Sequence, residues 1–395
     1  MAESLLGEQP AGLYLHIPFC LHKCAYCDFI SYVGLESSWQ PYLGGIYREL
    51  ELRLPSWEQT KFDTLYIGGG TPTILPALWL SGMVKHLLER VSHTNTIEVT
   101  VEANPGTITA EYLGELLTAG VNRLSIGVQS LQPAELGVLE RVHSPEQAVH
   151  AFRAARTAGF SNINLDLMYG LPGQTLDLWC KSMERVLDLR PEHLALYALT
   201  LDTQTPMAQN IERGAFALPV DELFADMYDL AVGLCQEDGY EHYEISNWAL
   251  QSGAERGSVT SPRFASQHNL HYWRNERYLG LGAGAFSYDG ARRWGNIPQV
   301  GSYLQSVNAG APPEVESETL TNRDALGETI MLNLRLIDGL RWDDLSRRFQ
   351  VDARTVYQKQ IAALCAQGLL EVDDMGMRLS RRALFIANQV FSEFV

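Results

Sequence analysis

The chain has 395 residues, of which 46% are hydrophobic and 19% charged, with a net charge of −17. This is an ordinary globular composition, long enough for more than one domain. The acidic balance excludes a general nucleic-acid binder, which needs phosphate-neutralising charge, and does not favour an anionic membrane surface.

In chain order, 1–12 read as a tail. It carries Glu3 and Glu8 but no Lys or Arg, so it has neither a signal nor a transit pattern, and the expected location is the cytoplasm. No apolar run is long enough to span a bilayer. Leu13 to His16 reads as a strand running into Pro18 and a cysteine loop. Helical spacing and a Ser38 cap predict a helix over about 39–53. Strand and helix then alternate: strands at 62–67, 97–101, 123–128, 162–168 and 193–198, and helices at about 76–91, 109–119, 133–140, 145–158 and 175–189, with Gly159 as a C-cap. Six strand–helix units predict a parallel sheet with right-handed crossovers, an open partial (β/α)6 barrel over 13–240.

After residue 200 the rhythm changes. A long helix (220–238) and a strand-like segment (240–246) precede a Ser/Gly/Arg-rich stretch, 251–265, read as a flexible loop. Residues 241–319 are expected to cover the open barrel. They contain the polar–aromatic run Gln267 to Trp273 and the glycine-dense Gly280 to Ser287, suited to close backbone packing. From 320 to 395 a mostly helical, winged-helix-like module is predicted, with helices at 323–334, 343–349, 353–367 and 381–394 and a two-strand wing at 369–379. Residues 341–395 hold eight Arg/Lys against seven Asp/Glu, so this module lacks a basic face and suits packing or protein contact better than DNA.

Three of the six cysteines, Cys20, Cys24 and Cys27, form C-x3-C-x2-C. Thiolates in this spacing suit a soft centre. One reading is a [4Fe–4S] cluster whose fourth iron is open to a chelating amino acid. The alternatives are a Cys3His zinc site using His16 or His22, since structural zinc wants four ligands, and three unrelated thiols. Tyr26 and Phe29 place aromatic surface beside this loop, either as a cluster environment or as plain packing. Cys180, Cys235 and Cys365 are isolated, each in a predicted helix, and read as small buried hydrophobes. Without a disulfide framework, a reducing compartment fits.

Polar motifs follow successive strands, the end at which α/β folds bind ligands. Gly68-Gly69-Gly70-Thr71-Pro72 follows the second strand and allows close backbone approach to a ligand, or simply a tight turn. Glu102 ends the third strand, Gln129 and Ser130 the fourth, and Asp166 lies on the fifth. Arg141 could pair bidentately with a carboxylate. Each alone is equally a surface or capping residue; together they form the pattern of a binding site. His268, Asn269, Tyr272 and Trp273 form an H-N-x-x-Y-W cluster. It reads as a haem-iron ligand beside a stacking platform or as a buried histidine with packing aromatics.

The cysteine loop and glycine run resemble the radical-SAM superfamily, whose clusters bind S-adenosylmethionine (SAM). More closely, Tyr14-x-His16-Ile17-Pro18-Phe19-Cys20, Gly68 to Thr73, Glu102-x-Asn104-Pro105, Ile126 to Ser130, Arg141-x-His143 and Asp166 to Gln174 resemble the coproporphyrinogen dehydrogenase-like (HemN/HemW) group over about 13–390. That resemblance implies a cluster on Cys20, Cys24 and Cys27. It also implies a SAM site using Tyr14, Gly69, Glu102, Gln129, Arg141 and Asp166, with Phe29, Gly70 and Thr71 beside them. The decarboxylase branch carries a fourth cysteine where this chain has Phe29. The chaperone branch carries the H-N-x-x-Y-W motif, with His268 at its haem-ligand position. The implied function is a haem chaperone that binds cluster, SAM and haem. It would pass haem to acceptor haemoproteins, membrane-associated respiratory proteins among them, with a homodimer as one implied state. The alternatives are an oxygen-independent coproporphyrinogen III dehydrogenase and a radical-SAM methyltransferase of the same group.

Overall fold

The computed structural model describes residues 9–251 and 262–395. Six parallel strands form its centre: β1 (Ala11–Ile17), β2 (Phe62–Gly69), β3 (His93–Ala103), β4 (Arg123–Gln129), β5 (Ile163–Tyr169) and β6 (His193–Ala198). Between them run α1 (Trp39–Trp57), α2 (Ala77–Arg90), α3 (Ala110–Thr118), α4 (Pro133–Val138), α5 (Pro145–Ala158) and α6 (Leu176–Leu187). The first strand begins at Ala11, inside the stretch read as a tail.

The strands alternate, which is unusual for parallel sheets covered on both faces. Leu13, Leu15, Leu65, Ile67, Val99, Val101, Leu124, Ile126, Ile163 and Leu165 are fully buried toward the helices. Their neighbours on the concave face are Tyr14, His16, Thr64, Tyr66, Glu98, Glu102, Arg123, Ser125, Asn164 and Asp166. Period two therefore separates a core face from a polar inner face. Helix ends follow their residues: Ser144 and Gln147 form a capping box on α5, and Gly159 ends it in the left-handed region. Ser38 begins α1 but makes no side-chain cap.

The chain continues through α7 (Pro206–Glu212), α8 (Asp221–Glu237), β7 (Tyr240–Glu244), β8 (Asn247–Leu250), α9 (Gln267–Trp273), β9 (Tyr278–Leu281), β10 (Phe286–Tyr288), β11 (Arg292–Asn296), α10 (Val300–Asn308) and β12 (Glu314–Thr319). These extend both edges of one twelve-stranded sheet, in the order β12-β11-β10-β9-β1-β2-β3-β4-β5-β6-β8-β7. Strand β9 runs parallel to β1, and β8 antiparallel to β6. Of the loop expected over 251–265, residues 252–261 lie outside the described residues.

The C-terminal module contains α11 (Asn322–Asn333), β13 (Leu340–Arg341), α12 (Trp342–Phe349), α13 (Ala353–Val356), α14 (Gln358–Ala366), β14 (Leu370–Val372), β15 (Gly376–Leu379) and α15 (Ala387–Phe391). Its own hydrophobic cluster includes Trp342, Phe349, Tyr357 and Phe391. The single helix expected over 353–367 breaks at Tyr357, whose hydroxyl bonds to the Phe394 carbonyl at 3.2 Å. The last predicted helix divides into a 3-10 turn, Arg381–Ala383, and α15. The wing gains a third strand, β13. Cys235 is buried as expected, whereas Cys180 and Cys365 are only half-buried. Cys180 faces outward on α6, 3.7 Å from Glu184 one turn on.

Candidate functional site

The cysteine loop is fixed by backbone before any ligand is considered. The Cys20 amide bonds to the Tyr32 carbonyl at 3.0 Å, and the Thr71 amide to the Phe19 carbonyl at 2.8 Å. From the far side, the Met207 amide at the start of α7 bonds to the Ala25 carbonyl at 3.0 Å. His16 closes the loop's end. A carbonyl only accepts, so Nε2–H donates to the Ile30 carbonyl at 2.8 Å, and Nδ1 accepts the Tyr14 hydroxyl at 2.9 Å. Both ring nitrogens are committed, so His16 is not a zinc ligand here. His22 sits on the surface, 3.5 Å from Glu140. Among the described residues no three His, Cys, Asp or Glu side chains converge on one metal ion.

Glycine is required where it stands. A Cβ on Gly70 would lie 2.5 Å from the Phe19 carbonyl oxygen and 3.0 Å from Cys20 Sγ. Gly69 has φ +112°, and a Cβ there would lie 2.5 Å from the His16 ring. Thr71 Oγ1 stands 3.7 Å from Cys20 Sγ. Burial pushes the Cys20 and Cys27 thiols up. Arg141 donates to the Gly127 carbonyl at 2.8 Å and lies 3.5 Å from Cys24 Sγ, while its Nε is buried without a partner. That orphaned donor and the glycine cradle beside the thiols fit a group with acceptor oxygens bound next to a cysteine-held centre.

A cavity of about 470 Å³ adjoins this loop. Its strand-side wall is Tyr14, His16, Gly69 and Glu102. The rest of its lining is Tyr272, Tyr278, Gly284 and Phe286, with Asp28, Phe29 and Ile30 from the cysteine loop. Phe29 and Phe286 are 61% and 43% exposed, so they form its open edge. Glu102 accepts the Tyr66 hydroxyl at 2.8 Å and the Gly69 amide at 3.1 Å. Burial nevertheless pushes its carboxyl up to about 7. Asp166 accepts from Asn164 at 2.7 Å and Ser125 at 3.3 Å, and burial raises it to about 6. Gln129, held at φ 65°, Arg141 and Asp166 stand on the β4–β5 side and do not line this cavity.

The H-N-x-x-Y-W run becomes α9, which divides its residues among different surroundings. His268 is 1% exposed beneath the cavity. Its Nδ1 lies 2.8 Å from Thr64 Oγ1 and its Nε2 3.0 Å from the Tyr272 hydroxyl. Its ring stacks on Tyr66 at 5.1 Å and on Tyr14 at 6.2 Å. Neither nitrogen is open: ligation of iron through Nε2 requires the hydrogen bond to Tyr272 to break, while the Nδ1 bond to Thr64 can stay. Tyr272 alone of the four lines the cavity. The Asn269 amide caps onto Ser266 at 3.4 Å, and Trp273 lies under the Arg335 guanidinium at 4.2 Å. His271, unmarked in the sequence, sits between Asp63 and Glu276 at 2.7 Å each. Burial opposes its charge, but the two carboxylates override that and hold it at about 9.

Sequence reasoning missed the role of His16 as loop anchor, together with Tyr66, Tyr278 and Phe286. Period-two alternation toward Gly68 marks Tyr66; no local pattern marks the other two. A larger cavity, about 990 Å³, lies between α9 and the C-terminal module. It interleaves Arg341, Arg347 and Arg378 with Asp338, Asp344 and Asp373, away from the cysteines.

Residues 14–186 match the model of the radical SAM superfamily, and 320–386 that of the HemN C-terminal domain. A Lactococcus lactis protein named heme chaperone HemW is 35% identical, covering 98% of both chains. A Bacillus subtilis protein of the same name is 34% identical, covering 97% of this chain and 98% of its own. The solved coproporphyrinogen III oxidase (HemN) of Escherichia coli, titled a radical SAM enzyme, superposes with a TM-score of 0.84 at 24% identity, covering 100% of this chain and 92% of its own. That similarity shows the fold, an open α/β barrel with a HemN-type C-terminal module.

Proposed function

The chain belongs to the heme chaperone HemW family of the radical SAM superfamily, and from that premise we propose that it binds a [4Fe–4S] cluster, SAM and haem and hands the haem to acceptor haemoproteins. The observation that carries this reading is the shared cavity. It joins polar strand-end groups, Tyr14, His16 and Glu102, to Asp28, Phe29 and Ile30 of the cysteine loop and to aromatic rings that leave it open at Phe29 and Phe286.

Cys20, Cys24 and Cys27 would hold the cluster, which when bound supplies a one-electron centre with an iron open to SAM. Glu102, already accepting from the Gly69 amide, is placed to take an ammonium group. Arg141 is placed to take a carboxylate with its unpartnered Nε. Tyr14 packs the floor and orients His16, which keeps Ile30 and the loop end in place. Asp166, Gln129, Gly70 and Thr71 line the approach to the thiols from β4, β5 and the β2 turn. His268 supports the aromatic wall from below. Flat macrocycles stack on such walls, and Phe29 supplies apolar surface rather than a thiol. We further propose cytoplasmic residence, acceptors that include membrane-bound respiratory haemoproteins, and a homodimer as the form to test by sedimentation. No helix among the described residues is long and apolar enough to cross a membrane.

The test is anaerobic reconstitution followed by incubation with SAM, dithionite and either haem or coproporphyrinogen. Stable haem retention without decarboxylation is expected. Turnover of coproporphyrinogen to decarboxylated product would replace this reading with the oxidase.

A further inference from the structure

The H-N-x-x-Y-W helix presents a tyrosine, not a histidine, to the cavity. Tyr272 lines the space between Tyr14, Tyr278 and Phe286, and its ring meets Tyr278 edge-on at 4.7 Å. Behind it, out of reach of the cavity, His268 Nε2 lies 3.0 Å from the Tyr272 hydroxyl. His268 is itself wedged tightly: a Cβ on Gly12 would lie 3.1 Å from its ring, and Tyr66 stacks on one face. Thr64 Oγ1, 2.8 Å from Nδ1, fixes the ring so that Nε2 faces the Tyr272 hydroxyl. A phenol oxygen held by a fixed imidazole is an oriented oxygen ligand for a hard ferric iron. Phenolate is an established axial haem ligand, and a hydrogen-bonded partner behind a ligand fixes its orientation.

Resting on the haem-chaperone reading, we propose that Tyr272 is the axial ligand to ferric haem and that His268 is the positioning residue that holds its oxygen. In the binding step, from hydroxide-ligated ferric haem, the Tyr272 O–H bond breaks and its proton joins the departing hydroxide to form water. The phenolate oxygen donates an electron pair to form the new Fe–O bond as the Fe–OH bond breaks. No oxidation state changes. Exposed Phe29 and Phe286 then flank the macrocycle at the cavity edge.

The test uses the full-length reconstituted protein, titrated anaerobically with ferric haem and examined by resonance Raman. Samples are prepared with ordinary and with ring-deuterated tyrosine. Wild type should show iron–phenolate modes that shift on deuteration. Tyr272→Phe retains the ring that packs on Tyr278, so the fold should persist by circular dichroism. It should lose the phenolate modes and about a hundredfold in haem affinity. His268→Gln and His268→Ala should keep the phenolate modes and weaken binding about tenfold, as loss of a supporting partner does. Three results overturn the assignment. Haem bound without phenolate modes in wild type, or an imidazole-ligated spectrum lost in His268→Ala and kept in Tyr272→Phe, would remove Tyr272 but leave the chaperone reading standing. No haem binding by wild type would remove both.

Discussion

The two walls of the 470 Å³ cavity are built in different ways. The strand wall draws Tyr14, His16, Gly69 and Glu102 from successive parallel strands, and each is held by backbone or by a neighbouring strand. The aromatic wall draws Tyr272, Tyr278 and Phe286 from a seven-residue helix and two short strands that join the barrel from the chain's second half. Strand β9, which carries Tyr278, is hydrogen-bonded along β1, so the fold positions it as it positions the strand wall. The helix that carries Tyr272 is held by side chains, through His268 to Thr64 and through His271 to Asp63 and Glu276. That docked helix is positioned by a few polar contacts and is correspondingly easier to move.

The largest effect should fall on the strand-wall side of this contrast. Cys24→Ala should abolish the visible absorbance and the iron content of the reconstituted protein, while far-ultraviolet circular dichroism stays unchanged. Unaltered iron binding would remove the cluster from the account.

The next effect concerns charge. Glu102 sits at about 7, so it gains its carboxylate form as pH rises through that value. SAM affinity should therefore rise from pH 6 to pH 8. Glu102→Gln should weaken it by roughly tenfold or more, as expected for a charge-assisted hydrogen bond worth about 1.5–3 kcal/mol, and flatten the pH dependence. Isothermal titration at three pH values checks both.

The docked helix has its own pH signature, of opposite sign. His271 is held at about 9 against an unperturbed value of 6.5. Its stabilisation is fully present below 6.5 and is lost as pH rises from there through about 9, a total on the order of 3 kcal/mol. Urea unfolding should show wild type losing that amount between pH 6 and pH 9.5, and His271→Ala losing much less. Equal slopes for the two proteins would place the helix's anchorage elsewhere.

The smallest effect separates loop from fold. His16→Ala removes the bond to the Ile30 carbonyl and should speed amide exchange at the end of the cysteine loop, leaving exchange in β4 and β5 unchanged.

The same contrast explains what the sequence made legible. The strand wall could be read because period-two alternation and glycine runs are local: Glu102 and Gly69 lie where their strands end, and Cys20, Cys24 and Cys27 share one loop. The six parallel strands and the helical C-terminal module were legible for the same reason. The aromatic wall could not be read. The ring that faces the cavity within H-N-x-x-Y-W depends on His268 meeting Thr64, 204 residues away, and that contact turns the histidine inward and Tyr272 outward. Phe286 was visible only as part of a glycine-dense stretch, since its exposure follows from β10 pairing with β9 and β11.

The central claim is that both walls serve one cavity, with SAM on the strand ends and haem on the aromatic side. Measuring haem affinity of the reconstituted protein with and without saturating SAM, and SAM affinity with and without haem, tests it most directly. The account predicts that each ligand changes the other's affinity by the same factor, as linkage requires. Haem and SAM affinities that are each indifferent to the other ligand would contradict it.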